Sequence, residues 1–132
     1  ANEIEINKNG IKHPLYKNKD KKFNSPAFNF DEVVKIPDKG ICLASNKINK
    51  VQGLYFEVKK TKIWGLQYHP EITYEKMINL IEFRKERLIE SRKVFKDDTE
   101  VQKHIAFIKK EISVSDKEKR MLELKNWLNE LN

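Results

Sequence analysis

A single cysteine, Cys42, excludes an internal disulfide and suits a reducing compartment. Long hydrophobic runs are missing too. None approaches the ~20 residues that a membrane-spanning helix requires, and residues 1–8 hold no hydrophobic signal core, so the expected location is cytoplasmic and no membrane partner is expected. The chain opens on Ala1 rather than methionine, which reads as a processed or engineered start. None of its four glycines falls in a Gly-rich phosphate loop. With no metal-ligand cluster and no internal repeat either, neither ATP nor a metal is bound by motif and no cofactor is expected. Acidic side chains are the minority, 20 against 27 basic ones, and the resulting charge of +7 invites a nucleic-acid reading. The lysines, however, are interleaved with acids over loops and every element. No zinc-finger, aromatic RNA-binding or Gly-rich clamp motif accompanies them, so the surplus reads as a solvated lysine-rich surface and nucleic acid is not the expected partner. What is present, 39% apolar and 10% aromatic residues in 132, describes one globular domain or part of one.

The most informative stretch is Ile63-Trp64-Gly65-Leu66-Gln67-Tyr68-His69-Pro70-Glu71. Strand alternation puts Ile63, Gly65, Gln67 and His69 on one face and Trp64, Leu66 and Tyr68 on the other. Pro70 has a fixed φ and no amide hydrogen, so it ends strand pairing and biases His69 towards an extended backbone, which can bring Glu71 back to the histidine's side. A carboxylate accepting a hydrogen bond from Nδ1–H would fix the tautomer, leave Nε2 free as a base and stabilise the imidazolium. His69 and Glu71 are therefore the candidate catalytic residues.

The run from Trp64 to Glu71 resembles the end of the catalytic domain of class I glutamine amidotransferases, whose Cys-His-Glu triad takes its last two members from a Gln-Tyr/Phe-His-Pro-Glu signature. Upstream, Asp31-Glu32-Val33, Ile36-Pro37-Asp38-Lys39-Gly40, Leu43-Ala44-Ser45-Asn46 and Val51-Gln52 follow in the order of the stand-alone, GMP-synthase-like branch. The resemblance implies an α/β fold: the C-terminal part of a flavodoxin-like domain, with mostly antiparallel strands followed by three helices. It also implies glutamine as substrate, hydrolysed to glutamate and ammonia, and a synthetase as the family's usual partner. In relatives a histidine or Ser-His sits just before the Asp-Glu-Val, near the glutamine pocket. Asn29 stands there instead, either as a substrate-side amide or as an ordinary loop residue; an amide cannot titrate near neutrality.

Elsewhere, residues 3–6 alternate as a strand and Asn7-Lys8-Asn9-Gly10 has a turn composition. His13, in a segment like the family's His-Pro-Leu-Phe, reads as a packing or turn residue. Residues 41–44 and 51–58 read as strands, with Lys59-Lys60-Thr61 closing a hairpin onto the Ile63 strand. Tyr74, Met77, Ile78, Ile81, Leu88 and Phe95 recur at helical spacing through Lys96. Val101, Ile105, Ile108 and Ile112 line a second helix opened by an Asp-rich cap, with His104 at its border. Met121, Leu124, Leu128 and Leu131 form the apolar face expected of a third. The expected division is residues 1–96 as the amidotransferase-like part and 97–132 as a helical extension packed on it.

The family's nucleophile sits on a Gly-x-Cys-x-Gly elbow whose following helix supports the thiolate and oxyanion. Gly40-Ile41-Cys42-Leu43-Ala44 imitates it but lacks the second glycine and the helix, so Cys42 is expected to be a sheet thiol. The chain then lacks a nucleophile of its own and is expected to be inactive alone. Truncation, a partner chain carrying the N-terminal half, and a relic dyad all remain open, and a truncated sheet would expose an edge, which predicts a homodimer. Hydrolysis of γ-glutamyl peptides is a variant of this reading. A non-catalytic helical interaction or RNA-binding module is the alternative from another class.

Overall fold

The structure is a computed structural model and describes residues 1–132. The chain is α/β, with a five-stranded antiparallel sheet and several helices, consistent with a fragment of a flavodoxin-like domain. It divides into two compact units, residues 1–71 with 117–132, and residues 72–116.

The first unit holds the sheet. Its strands are β1 (Ile4–Ile6), β2 (Lys22–Phe23), β3 (Ile41–Ser45), β4 (Gly53–Val58) and β5 (Thr61–Leu66), in the order β2-β1-β3-β4-β5. Alternation explains β1: Ile4 and Ile6 are buried, while Glu5 lies between them with Lys21 and Lys22 3.7 and 3.6 Å from its carboxylate. β4 and β5 pair from Val58 with Thr61 to Gly53 with Leu66, and Lys59 turns the hairpin at φ 56°. A bulge between Cys42 and Ala44 interrupts β3, and both Leu43 and Ala44 are buried. Ile4, Ile6, Leu15, Tyr16, Leu43, Ala44 and Tyr68 form the core, with Phe23, Tyr55, Trp64 and Leu66 packed on it.

The Asn7-to-Gly10 stretch is not a free turn. It begins a short helix, α1 (Lys8–Lys12), because the Asn7 side chain accepts from the amides of Asn9 and Gly10 at 2.9 and 3.0 Å. The same side chain donates to the Cys42 carbonyl at 2.8 Å, fixing α1 to β3. Contact there is so close that a Cβ on Gly10 would stand 2.2 Å from the Leu43 carbonyl oxygen. His13 caps the following 3₁₀ turn (Pro14–Tyr16) by accepting from the Leu15 amide at 3.2 Å. Its ring packs 4.9 Å from that of Tyr55 and 5.0 Å from that of Trp64, and burial lowers its pKa.

The last helices of the unit are α4 (Lys117–Arg120) and α5 (Leu122–Glu130), in place of one continuous third helix. The apolar face expected of the third helix is covered only in its first half, where Met121 and Leu124 are half-buried. Leu128 and Leu131 are more than half exposed, whereas Glu123 and Asn126 are buried. Hydrogen bonding is the reason: Asn126 donates to the carbonyls of Leu15 and Lys17 at 2.9 and 3.0 Å, and Glu123 accepts from Tyr68 Oη at 2.7 Å and from Lys19 Nζ at 2.9 Å. Tyr68 and Tyr16 hydroxyls lie 3.2 Å apart, and the Lys19 ammonium also sits 4.4 Å over the Phe23 ring.

In the second unit, α2 (Tyr74–Phe83) is capped by Thr73 and buries Tyr74, Met77 and Ile81. The stripe expected to run as one helix to Lys96 breaks at Arg84. The run Arg84-Lys85-Glu86-Arg87 offers no apolar side chain to hold the helix down, and the backbone continues as a π-helical turn (Arg87–Ser91) that buries Leu88. The next helix, α3 (Asp98–Val114), is capped by Asp97, which accepts from the Glu100 amide at 3.0 Å, and it buries Val101, Ile105 and Ile108 as its periodicity predicts. Half-buried His104 packs its ring 5.3 Å from Phe95, and burial lowers its pKa.

Two outcomes follow from this packing. Gly10→Ala is expected to cost about 1–3 kcal/mol in urea denaturation, because the obstacle is a backbone carbonyl, while Gly65→Ala, facing only the flexible Leu54 side chain at 3.2 Å, costs less. The pH dependence of stability has a defined sign. Desolvation raises the pKa of Tyr16 and Tyr68, so above pH ~10 the folded phenols keep protons that the unfolded ones lose, and stability falls as pH rises. Lys19, lowered by desolvation, works in the opposite direction up to about 10.5 and offsets part of the loss. Urea titrations from pH 8 to 12 should show a shallower decline in Tyr16→Phe/Tyr68→Phe.

Candidate functional site

Beyond β5 the chain bends at Gln67 and Tyr68 and is held by two backbone hydrogen bonds. The Gln67 amide donates to the Gln52 carbonyl at 2.9 Å and the His69 amide to the Pro26 carbonyl at 2.7 Å. Tyr68 points into the core, where it is 2% exposed. His69, the next residue, is 40% exposed. Pro70 is buried and brings no amide to pair, and its carbonyl accepts from the Arg120 guanidinium of α4.

Across this clamped turn His69 Nδ1 lies 2.7 Å from Glu71 Oε1. An ionised carboxylate only accepts, so the contact requires the proton on Nδ1 and leaves Nε2 as the free lone pair of the neutral ring. With Glu71 50% exposed, the pair is open to solvent and to a reactant. Such a ring can take a proton at Nε2 while the carboxylate compensates the charge at Nδ1.

The other candidates lie elsewhere. Asn29 is exposed; its amide donates to the Asp31 carbonyl at 3.1 Å, a local loop contact, and it borders a cleft of about 460 Å³ whose lining includes neither His69 nor Glu71. Cys42 is half-buried within β3, its Sγ 3.4 and 3.5 Å from the carbonyls of Ala44 and Lys50, and burial pushes its thiol pKa up. No helix follows it: β3 runs on to Ser45 and then into a loop around Asn46, whose Oδ1 accepts from the amides of Ile48 and Asn49. A thiol in that setting has neither a helix N-terminus nor a cation to favour the thiolate. Sequence reasoning missed the two groups that hold the His-Pro-Glu turn, the Pro26 carbonyl and Arg120. Neither belongs to a local pattern, since they reach the turn from 43 positions before His69 and 50 positions after Pro70.

No protein-family model matches the chain. Curated proteins do: it is 30% identical over 73 residues to a γ-glutamyl-L-1-hydroxyisopropylamide hydrolase of a Pseudomonas species, covering 55% of this chain and 24% of that protein. It is 36% identical over 67 residues to a subunit of the glutamine-hydrolysing GMP synthase of Methanocaldococcus jannaschii, covering 51% of this chain and 35% of that protein. The chain thus spans about a quarter to a third of the length of these relatives. The similarities agree with the resemblance to class I glutamine amidotransferases at the level of the broad family and single out no branch of it.

No helix is long and apolar enough to cross a membrane.

The tautomer is directly testable. Glu71→Ala removes the acceptor at Nδ1, so the neutral His69 ring should lose its Nδ1–H preference and revert to the mixed tautomers of free imidazole. Two-bond ¹H–¹⁵N correlation spectra read this; an unchanged tautomer would mean that Glu71 does not hold the ring.

Proposed function

We propose that the chain is the C-terminal part of an amidotransferase-like hydrolase of γ-glutamyl amides, in which His69 is the general base and Glu71 its orienting carboxylate. The names of the two relatives share one chemistry, cleavage of the bond between a γ-glutamyl carbonyl and nitrogen, in glutamine for one and in a substituted amide for the other. The observation that carries the reading is the 2.7 Å contact from Nδ1 to Oε1 in a pair whose side chains are 40% and 50% exposed. In this mechanism Nε2 takes the proton of a cysteine thiol, and the thiolate attacks the amide carbonyl. Backbone amides steady the oxyanion, and the imidazolium returns the proton to the departing nitrogen, ammonia when the substrate is glutamine. Water, deprotonated by the same imidazole, then releases glutamate from the acyl-enzyme.

Cys42 is not that thiol: it is a strand residue with a raised pKa and carbonyl neighbours. The nucleophile and its oxyanion donors lie outside these 132 residues, in the part of the relatives that the chain does not span or in a partner chain such as a synthetase-associated half. In this reading residues 1–96 are the amidotransferase-like part and 97–132 a helical extension, whose last stretch, 117–132, belongs to the sheet-bearing unit, while 97–116 belong with 72–96 to the second unit.

The test is hydrolysis of glutamine and of a chromogenic γ-glutamyl anilide, together with labelling by a diazoketone analogue of glutamine. The 132-residue chain is expected to be inactive and unlabelled at Cys42, whereas the full gene product that contains it is active. In that product His69→Asn should lower kcat/KM by about 10²–10⁴-fold. Labelling of Cys42, or turnover lost in Cys42→Ser, would overturn the assignment of the nucleophile; full activity in His69→Asn would overturn the base.

A further inference from the structure

The 2.7 Å contact between His69 and Glu71 spans a single residue, Pro70, so its persistence depends on the few torsions that lie between the two side chains. The pyrrolidine ring fixes φ of Pro70, a residue before proline is held to an extended ψ, and the peptide bonds are planar. That leaves ψ of Pro70 and φ of Glu71. The Pro70 carbonyl oxygen turns with that ψ, so a donor that holds the oxygen sets the peptide plane from which Glu71 departs. This donor is the guanidinium of Arg120, 50 positions along the chain. Pro70 is buried, so its carbonyl needs a partner from the protein, and a charged donor makes the stronger bond.

Arg120 is itself seated. It ends α4, a turn of four residues that is too short to hold its shape alone. Lys19 Nζ donates to the carbonyl of the preceding residue, Lys119, at 2.8 Å, and Lys119 Nζ pairs with Asp20 Oδ2 at 3.0 Å. Lys19, its side chain 5% exposed, is in turn held at 2.9 Å by Glu123, whose other oxygen holds Tyr68, the residue before His69. The buried ion pair thus anchors both the strand end that carries the imidazole and the helical turn that carries the guanidinium. We propose that Arg120 is a positioning residue for the dyad, which sets the Pro70–Glu71 peptide and through it the tautomer of His69. Residues 117–132 are then a working part of the site rather than a cover for the sheet. What the tautomer does for catalysis rests on the reading of His69 as general base, but the tautomer itself can be read without turnover.

The experiment records two-bond ¹H–¹⁵N spectra of the histidine rings in the ¹⁵N-labelled 132-residue chain, at a pH where the rings are neutral. His13 is the internal control: its Nδ1 accepts from the Leu15 amide, so its proton stays on Nε2 while the fold is intact. Arg120→Met keeps the aliphatic stem and removes the donors. In it the ratio of Nδ1–H to Nε2–H at His69 should fall about tenfold, with His13 unchanged. Lys117→Ala, the loss of an exposed cation from the same turn, should leave both rings as they are. An unchanged His69 ratio in Arg120→Met would overturn the proposal while leaving the dyad and the base standing. So would an equal fall in Lys117→Ala, which would make the effect one of net charge. A wild-type His69 already in mixed tautomers would remove the dyad itself, and with it both readings. Should Arg120→Met not fold, Arg120→Ala is judged by the same criteria.

Discussion

Glu123 is a carboxylate with a side chain wholly removed from solvent, and the arrangement of the first unit follows from how that charge is accommodated. An isolated buried carboxylate would be prohibitively unfavourable, so its two oxygens must be met: Oε1 takes the hydrogen of Tyr68 and Oε2 the ammonium of Lys19. These two donors come from opposite ends of the chain's folding problem, one from the end of the strand that carries His69 and the other from a lysine-rich loop. The C-terminal helix therefore does more than cover apolar surface. It tethers Tyr68 inward, and the neighbouring His69 keeps a 40% exposed side chain. Breaking the pair by removing one partner strands the other in the interior, which makes the network cooperative.

Two further ties complete the positioning. The Pro26 carbonyl holds the His69 amide from one side, and Arg120 holds the Pro70 carbonyl from the other. The side chains of His69 and Glu71 are left as the exposed members of a turn whose backbone is fixed. Fixing the backbone around a solvent-facing imidazole and carboxylate is how a 2.7 Å contact can persist without burial, since an unconstrained surface pair would contribute little. The same logic separates His69 from the other two histidines. His13 uses Nδ1 to cap a turn and its ring to pack on Tyr55 and Trp64, and His104 packs on Phe95, so both are committed to structure.

Much of the sheet was legible in the sequence through local alternation, as at Ile4 and Ile6 and in the β4–β5 hairpin with its lysine turn, but the two-residue β2 was not, and the bulged β3, with Leu43 and Ala44 both buried, departs from period two. The His69–Glu71 geometry was legible for a related reason, the stiffness that Pro70 imposes on two bonds. Helix faces were less legible. Apolar spacing is a sound guide where the docking surface is apolar, as for Val101, Ile105 and Ile108, and it fails where docking is polar. On α5 the residues that matter are Glu123 and Asn126, and nothing local distinguishes them from solvated glutamate and asparagine, because their partners lie more than 50 positions away. The break of α2 at Arg84 was readable in principle from the charged run, but a hydrophobic stripe masks it when only apolar positions are followed. Asn7 reads wrongly as a turn because the same residue types start helices and make turns; the neighbouring β3 carbonyl decides which.

The amides of Gln52 and Asn49 and the thiol of Cys42 show how burial alone can mislead about function. All three are polar or reactive groups withdrawn into the sheet region, yet their surroundings differ in kind. Sγ of Cys42 lies beside two carbonyl oxygens that satisfy a thiol, and burial raises its pKa and so disfavours the thiolate. Gln52 is almost wholly buried with its Oε1 unmet, while its backbone is bonded to Ala44 and Gln67. Distinguishing the two requires asking of each polar atom where its hydrogen bond goes. By that criterion His69, 40% exposed and with Nδ1 committed to Glu71, is set apart from the cysteine.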